Sequence, residues 1–143
     1  MRDKRAPDAS RSLGIDVVTA GVSFLSFIFV LFAVKHVLAD FILQTSWMWR
    51  TKDKEHGWAA PLIAHAGCHA GFTLAVTLVF NSSLWWLGVV DFALHGTIDR
   101  ARAIVGRRLN LVAGHSGWWW LFGIDQALHQ ITHFGFAIAL AVI

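Results

Sequence analysis

LGIDVVTAGVSFLSFIFVLFAV, running from Leu13 to Val34, contains a single charged residue, Asp16. An α-helix rises 1.5 Å per residue, so about 20 residues of this kind cross a hydrocarbon core of ~30 Å. The run is longer than a secretory h-region, and no small-residue cleavage site breaks it before Lys35, so it is expected to be retained as a spanning helix. No glycine, proline or turn cluster separates Val22 from Trp49. The first helix is therefore expected to be unusually long, about 35 residues or roughly 50 Å, with a break and fold-back near Lys35 as the alternative.

The remainder of the chain has the same character. Of its 143 residues, 56% are hydrophobic and 15% charged, with no tyrosine, and the mean hydropathy is +0.55. A soluble domain of this size carries about 25% charged residues. The expected fold is all-α: an integral membrane bundle of about four transmembrane helices, residues 13–143, behind a polar basic tail, residues 1–12, with Arg2, Lys4, Arg5 and Arg11. Trp58 to Phe80, with Pro61 in its first turn, Leu84 to about Val105, and Trp118 to Ile143 supply the later spans. The lone cysteine, Cys68, excludes an internal disulfide and reads as a small core residue. A net charge of +3 suits a bilayer with anionic headgroups as partner. Without interleaved aromatic and basic residues, single-stranded nucleic acid is excluded.

Indole rings concentrate at membrane interfaces, which gives an independent check on topology. Trp47, Trp49, Trp58, Trp118, Trp119 and Trp120 flank the first and third loops, whereas Trp85 and Trp86 flank the second, as antiparallel spans require. Lysine and arginine are denser around the first and third loops than in the tail, which directs those loops to the cytoplasm.

Each of the four spans carries polar residues at i, i+4 spacing: His36, Asp40 and Gln44; His65 and His69; Asp91, His95 and Asp99; Asp125, His129 and His133. Residues four apart share one helix face. Ordered from the first and third loops inward, Gln44, His65, Asp99 and Asp125 precede Asp40, His69, His95 and His129, then His36, Asp91 and His133, so the columns align in depth. Ionisable groups at membrane depth cost roughly 2.5–3.5 kcal/mol each even on the lenient scale, which requires mutual satisfaction or a bound ion. Imidazole and carboxylate form the ligand set of zinc, the favoured ion, or of iron or manganese, and bundles build such sites from facing helices. The expected ligands are His65, His69, Asp99 and His129, with His36, Asp40 and His95 in a second site or orienting the first. Asp125 is the candidate general base, Gln44 and Gln126 candidate donors to a carbonyl or phosphoryl oxygen, and Asp91 and His133 supporting polar groups.

HVLADFILQ (His36 to Gln44), the HxxxH of His65 and His69, the HxxxD of His95 and Asp99, and DQALH (Asp125 to His129) together resemble the small bacterial integral-membrane family catalogued as domain of unknown function 3307. The resemblance covers about residues 30–140 and implies a four-helix membrane fold, in a bacterial inner membrane, with no established activity. The arrangement is also similar, by looser analogy, to small bacterial membrane proteins described as metal-dependent hydrolases. The chain departs from the family pattern in its extended apolar N-terminal stretch and in Arg100 and Arg102 after the HxxxD.

Three functional classes follow. A metal-dependent hydrolase of a lipid or lipid-linked substrate needs an open coordination position and a reachable groove. A proton or divalent-cation transporter needs a continuous polar path. A non-catalytic subunit or assembly factor of a larger membrane complex needs self-satisfied polar groups and a partner-covered surface. Haem ligation by paired histidines is the least favoured option. Ser46 and Ser116 have no triad-like setting and no phosphate loop is present, so an enzymatic reading rests on the metal. Arg107 and Arg108 read as headgroup anchors, and His56 and His115 as solvated loop residues.

Overall fold

The computed structural model describes residues 9–142, with side chains from Leu13 onward. Residues 1–8 of the basic tail, with Arg2, Lys4 and Arg5, lie outside the described residues. The chain forms α1 (Ala9–Val37), a π-helical turn (Leu38–Ile42), the short α2 (Ser46–Thr51), α3 (Ala59–Phe80), α4 (Leu87–Arg108) and α5 (Ser116–Val142), with no strand among the described residues.

The first helix passes Lys35 without a break, because Lys35 is 3% exposed and ion-paired inside the bundle rather than marking a terminus. It does not reach Trp49, however. Beyond Val37 the backbone widens, and the Leu43 amide donates to the Leu38 carbonyl five residues back at 3.0 Å. Thr45 then turns extended (φ −67°, ψ 160°) and its hydroxyl accepts from the Met48 amide, starting α2 in a new direction. The local N-cap chemistry of Thr45 thus overrides an apolar pattern that contains no glycine or proline.

The other ends follow equally local rules. After α3, the Asn81 side chain accepts from the amide and hydroxyl of Ser83. At the end of α4, Asn110 adopts φ 51°, and the amides of Asn110 and Leu111 return to the carbonyls of Arg107 and Gly106, a Schellman closure. Close packing of α3 on α4 needs Gly88, where a Cβ would stand 3.1 Å from the Leu74 Cβ and 3.3 Å from the Ala70 carbonyl.

Polarity is inverted relative to a water-soluble bundle. The buried face of α3 is Leu62, His65, Ala66, His69, Thr73 and Thr77; that of α4 includes Asp91, His95 and Asp99; that of α5 includes Asp125, His129 and His133. Large apolar side chains point outward, among them Val79 (76% exposed), Phe41 and Ile131. Two segments, Leu13–Ile42 and Ala59–Phe80, are long and apolar enough to cross a membrane. The other two expected spans fall short of that measure, because α4 carries Asp91, Asp99 and four arginines and the middle of α5 carries Asp125, Gln126, His129, Gln130 and His133.

The apolar core gathers at one end of the bundle. Ile28 and Phe32 of α1 meet Leu84, Leu87 of α4, and Phe136, Ala137 and Leu140 of α5. Phe24 and Phe29 extend it through edge contacts with Phe80 and Phe134. Residues 13–23 of α1 are exposed on every face. Phe32, fully buried and stacked on His133 at 5.5 Å, separates this core from the polar interior. Phe32→Ala is expected to destabilise the protein by about 3–5 kcal/mol and Phe32→Leu by clearly less, measured by unfolding in detergent micelles.

Candidate metal centre

Six imidazoles and four carboxylates from the four long helices and the π-turn gather in the bundle interior. The π-turn aims Asp40: its Oδ1 lies 3.3 Å from His65 Nε2 and 3.1 Å from His69 Nε2, while Oδ2 lies 3.2 Å from His36 Nε2. His95 occupies the middle, its ring stacked between those of His69 (centroids 3.6 Å apart) and His129 (4.1 Å), with its Nε2 3.2 Å from His65 Nε2. Asp99 reaches His129 with Oδ1 and His65 with Oδ2, each at 3.5 Å.

Three sets of candidate ligand atoms, each within 4.8 Å of one another, could hold a metal ion: Asp40, His65, His69 and His95; His36, His69 and His133; His95, Asp99 and His129. The four ligands expected from sequence do not form one set. His65 and His69 pair with Asp40 and His95, whereas Asp99 and His129 form a separate set with His95. Cys68 belongs to none of them.

The donor chemistry fits a cation. The Nε2 atoms of His36, His65 and His69 lie 3.1–3.3 Å from the Asp40 carboxylate oxygens, and the Nε2 atoms of His65 and His95 lie 3.2 Å apart. Converging imidazole nitrogens and carboxylate oxygens are a donor set that a divalent cation takes directly.

Charge balance comes from residues that the spacing argument overlooked. Lys35 Nζ donates to Asp91 Oδ2 at 2.6 Å and to Thr73 Oγ1 at 2.9 Å, and lies 3.2 Å from His133 Nε2. Thr73 in turn donates to the same Asp91 oxygen at 2.6 Å. Asp91 is therefore an ion-pair partner at the closed end rather than a member of any ligand set. At the opposite end Lys52 donates to Asp99 Oδ2 at 2.6 Å. Arg102 donates to Asp53 at 2.6 Å and places its Nε 3.5 Å from Asp125 Oδ1. Buried carboxylates demand nearby cations, and counting Asp40, Asp91, Asp99 and Asp125 against the available lysines was the signal that could have found Lys35 and Lys52.

The centre opens at the Lys52 end into a cavity of about 240 Å³ whose polar wall includes Asp40, Gln44, Lys52, Asp99, Asp125 and Gln126. The Gln44 amide is best oriented with its oxygen accepting from Lys52 Nζ at 2.9 Å and its nitrogen donating to the Asp40 main-chain oxygen at 3.2 Å. Gln126 bridges His36 Nε2 (3.2 Å) and Asp125 Oδ2 (3.1 Å). Asp125 Oδ1 stands 3.8 Å from His129 Nε2 with no hydrogen-bond partner among the described residues. His56 and His115 are exposed and lie outside the cluster.

A family model described as protein of unknown function (DUF3307) matches residues 28–142. No curated protein and no solved structure matches the chain.

The Lys35–Asp91 pair supplies a test of the charge balance. Lys35→Met or Asp91→Leu alone leaves one uncompensated buried charge and is expected to cost about 3–5 kcal/mol, whereas the double variant regains most of it, read from a double-mutant cycle of unfolding free energies.

Proposed function

The chain belongs to this DUF3307 family of proteins of unknown function, and from that premise we propose that it is an integral membrane metalloprotein that hydrolyses a lipid or lipid-linked substrate. The membrane part of the reading is supported by the inverted polarity: buried histidines and carboxylates inside, apolar side chains outside, and two helices of spanning length and composition. In it α4 and α5 also cross the bilayer, their polar faces turned inward. Basic residues of the first and third loops orient the open cavity toward the cytoplasm.

One observation carries the hydrolytic part: the cavity wall holds one carboxylate from each of two ligand sets, Asp40 and Asp99, beside a carboxylate oxygen, Asp125 Oδ1, that no hydrogen bond engages. The sets His36, His69, His133 and His95, Asp99, His129 share no member, so each would be able to hold an ion of its own. A divalent cation, zinc by preference and iron or manganese otherwise, supplies Lewis acidity and makes water nucleophilic at neutral pH. The chain itself does the remaining work. Asp125 takes the proton of the attacking water, and Gln126 and Arg102 hold its carboxylate in place. The Lys52 ammonium, at the cavity wall, faces developing negative charge on a carbonyl or phosphoryl oxygen.

Transport fits less well, since the polar column ends at Lys35 and Asp91 beneath the plug of Ile28, Phe32 and Phe136. Membership of a larger complex gains support from residues 13–23, exposed on every face beyond the bundle core, and is compatible with catalysis.

Element analysis of the detergent-purified protein is expected to find near-stoichiometric or twofold zinc, iron or manganese. His95→Ala, which removes a member of two of the three sets, is expected to lower the metal content by one ion per chain, and His56→Ala to leave it unchanged. A metal-free, stable wild-type protein would overturn the reading. Asp125→Asn is expected to keep the metal while lowering turnover of chromogenic carboxyl- and phospho-ester amphiphiles by about 10²–10⁴-fold.

A further inference from the structure

Next to the metal-centre cavity lies a second one, of about 490 Å³, that the proposed chemistry does not use. The two share Asp53, Arg102 and Trp118. Arg102 stands between them, its NH2 on Asp53 and its Nε toward Asp125. The second cavity adds Arg107 and Asn110, both placed by the end of α4: the Schellman closure turns the chain at Asn110, so the last helical turn presents Arg107 to the cavity. Arg107 donates to the Asp53 main-chain carbonyl and forms no ion pair among the described residues. Arg102 rather than Arg107 pairs with the Asp53 carboxylate, so the Arg107 guanidinium is the one in this cavity without an ion-pair partner among the described residues.

Part of the lining is apolar. Leu111, Val112 and Leu121 contribute to it, and Val112 is 67% exposed. A cavity lined by both a free guanidinium and aliphatic side chains suits an amphiphile, whereas a free anion would use only part of it. Arginine recognises phosphate through paired N–H donors, which a lysine at the same place reproduces only as a point charge.

We propose that this cavity is the headgroup site for a phosphate-bearing lipid, with Arg107 and Arg102 on the phosphate and Leu111, Val112 and Leu121 along the start of its chain. Its use as the substrate subsite rests on the hydrolytic reading of the adjoining centre; binding itself does not. A headgroup held here lies one side-chain layer, Arg102 and Trp118, from Asp125.

The test is native mass spectrometry of the full chain in detergent, titrated with phosphatidic acid, phosphatidylcholine or inorganic phosphate, with metal content measured on each sample. Phosphatidic acid is expected to bind at least tenfold more tightly than phosphatidylcholine. Arg107→Ala removes that preference, Arg107→Lys restores part of it, and Arg108→Ala, at an exposed neighbour, leaves it intact. Val112→Trp fills the apolar part at a solvent-facing position and is expected to weaken phosphatidic acid binding without touching a charge, which keeps the test valid should Arg107→Ala fold poorly. Equal binding of the two lipids, or a preference lost equally in Arg108→Ala, overturns the headgroup site. Full displacement of the lipid by inorganic phosphate at similar concentration overturns the lipid assignment in favour of a free-phosphate site. Metal present without lipid selectivity overturns this inference alone; selectivity in a metal-free protein supports it while overturning the hydrolytic reading.

Discussion

Four carboxylates enclosed by helices set the terms for everything else in this molecule. Asp40, Asp91, Asp99 and Asp125 lose most of their hydration, and their burial is tolerable only with positive charge or donors at contact distance. Lys35 serves Asp91, Lys52 serves Asp99, and Arg102 stands by Asp125. Asp40 has no lysine or arginine partner among the described residues and faces only imidazoles. That imbalance lies at the ligand set with the most members, where a cation would complete the arrangement. With the interior committed to polar groups, apolar side chains are left for the outer surface, and on that distribution the proposed membrane setting rests.

The interior is also asymmetric along its axis. One end is sealed by Ile28, Phe32, Leu84, Leu87, Phe136 and Leu140, and the other opens past Gln44, Lys52 and Asp125. A conduit needs two mouths, and the polar column reaches one end of the bundle only among the described residues. Phe32 belongs to both regions, packing into the apolar plug with one neighbour, Phe136, and stacking on His133 with the other.

Much of this was legible in the sequence because i, i+4 spacing is a geometric property of any α-helix. The columns on α3, α4 and α5 needed only periodicity to be placed facing inward. Three features escaped for separate reasons. Lys35 closes a long apolar run, so its position alone resembles a helix end, and only its meeting with Asp91, distant in sequence, shows otherwise. The stop at Thr45 depends on one hydroxyl capping one amide, a signal too small to outweigh the apolar residues around it. The grouping of ligands depends on the rotation of each helix about its axis, which spacing within a helix leaves free; hence His95, rather than His65 or His129, came to occupy the centre.

The widened turn at Leu38–Ile42 has a further meaning. A π-turn holds one residue more than the α-helical turn it replaces, and each residue of an α-helix corresponds to a rotation of about 100°. Lys35 and His36, before the turn, and Asp40, within it, are therefore phased independently: Lys35 to α4, His36 to α5 and Asp40 to α3. Removing a single residue here would restore an unbroken helix and swing one of these groups off the axis by more than a quarter of a turn. Chain length in this segment is thus a functional variable in its own right, and a one-residue deletion would be felt at the centre even if every named side chain survived it.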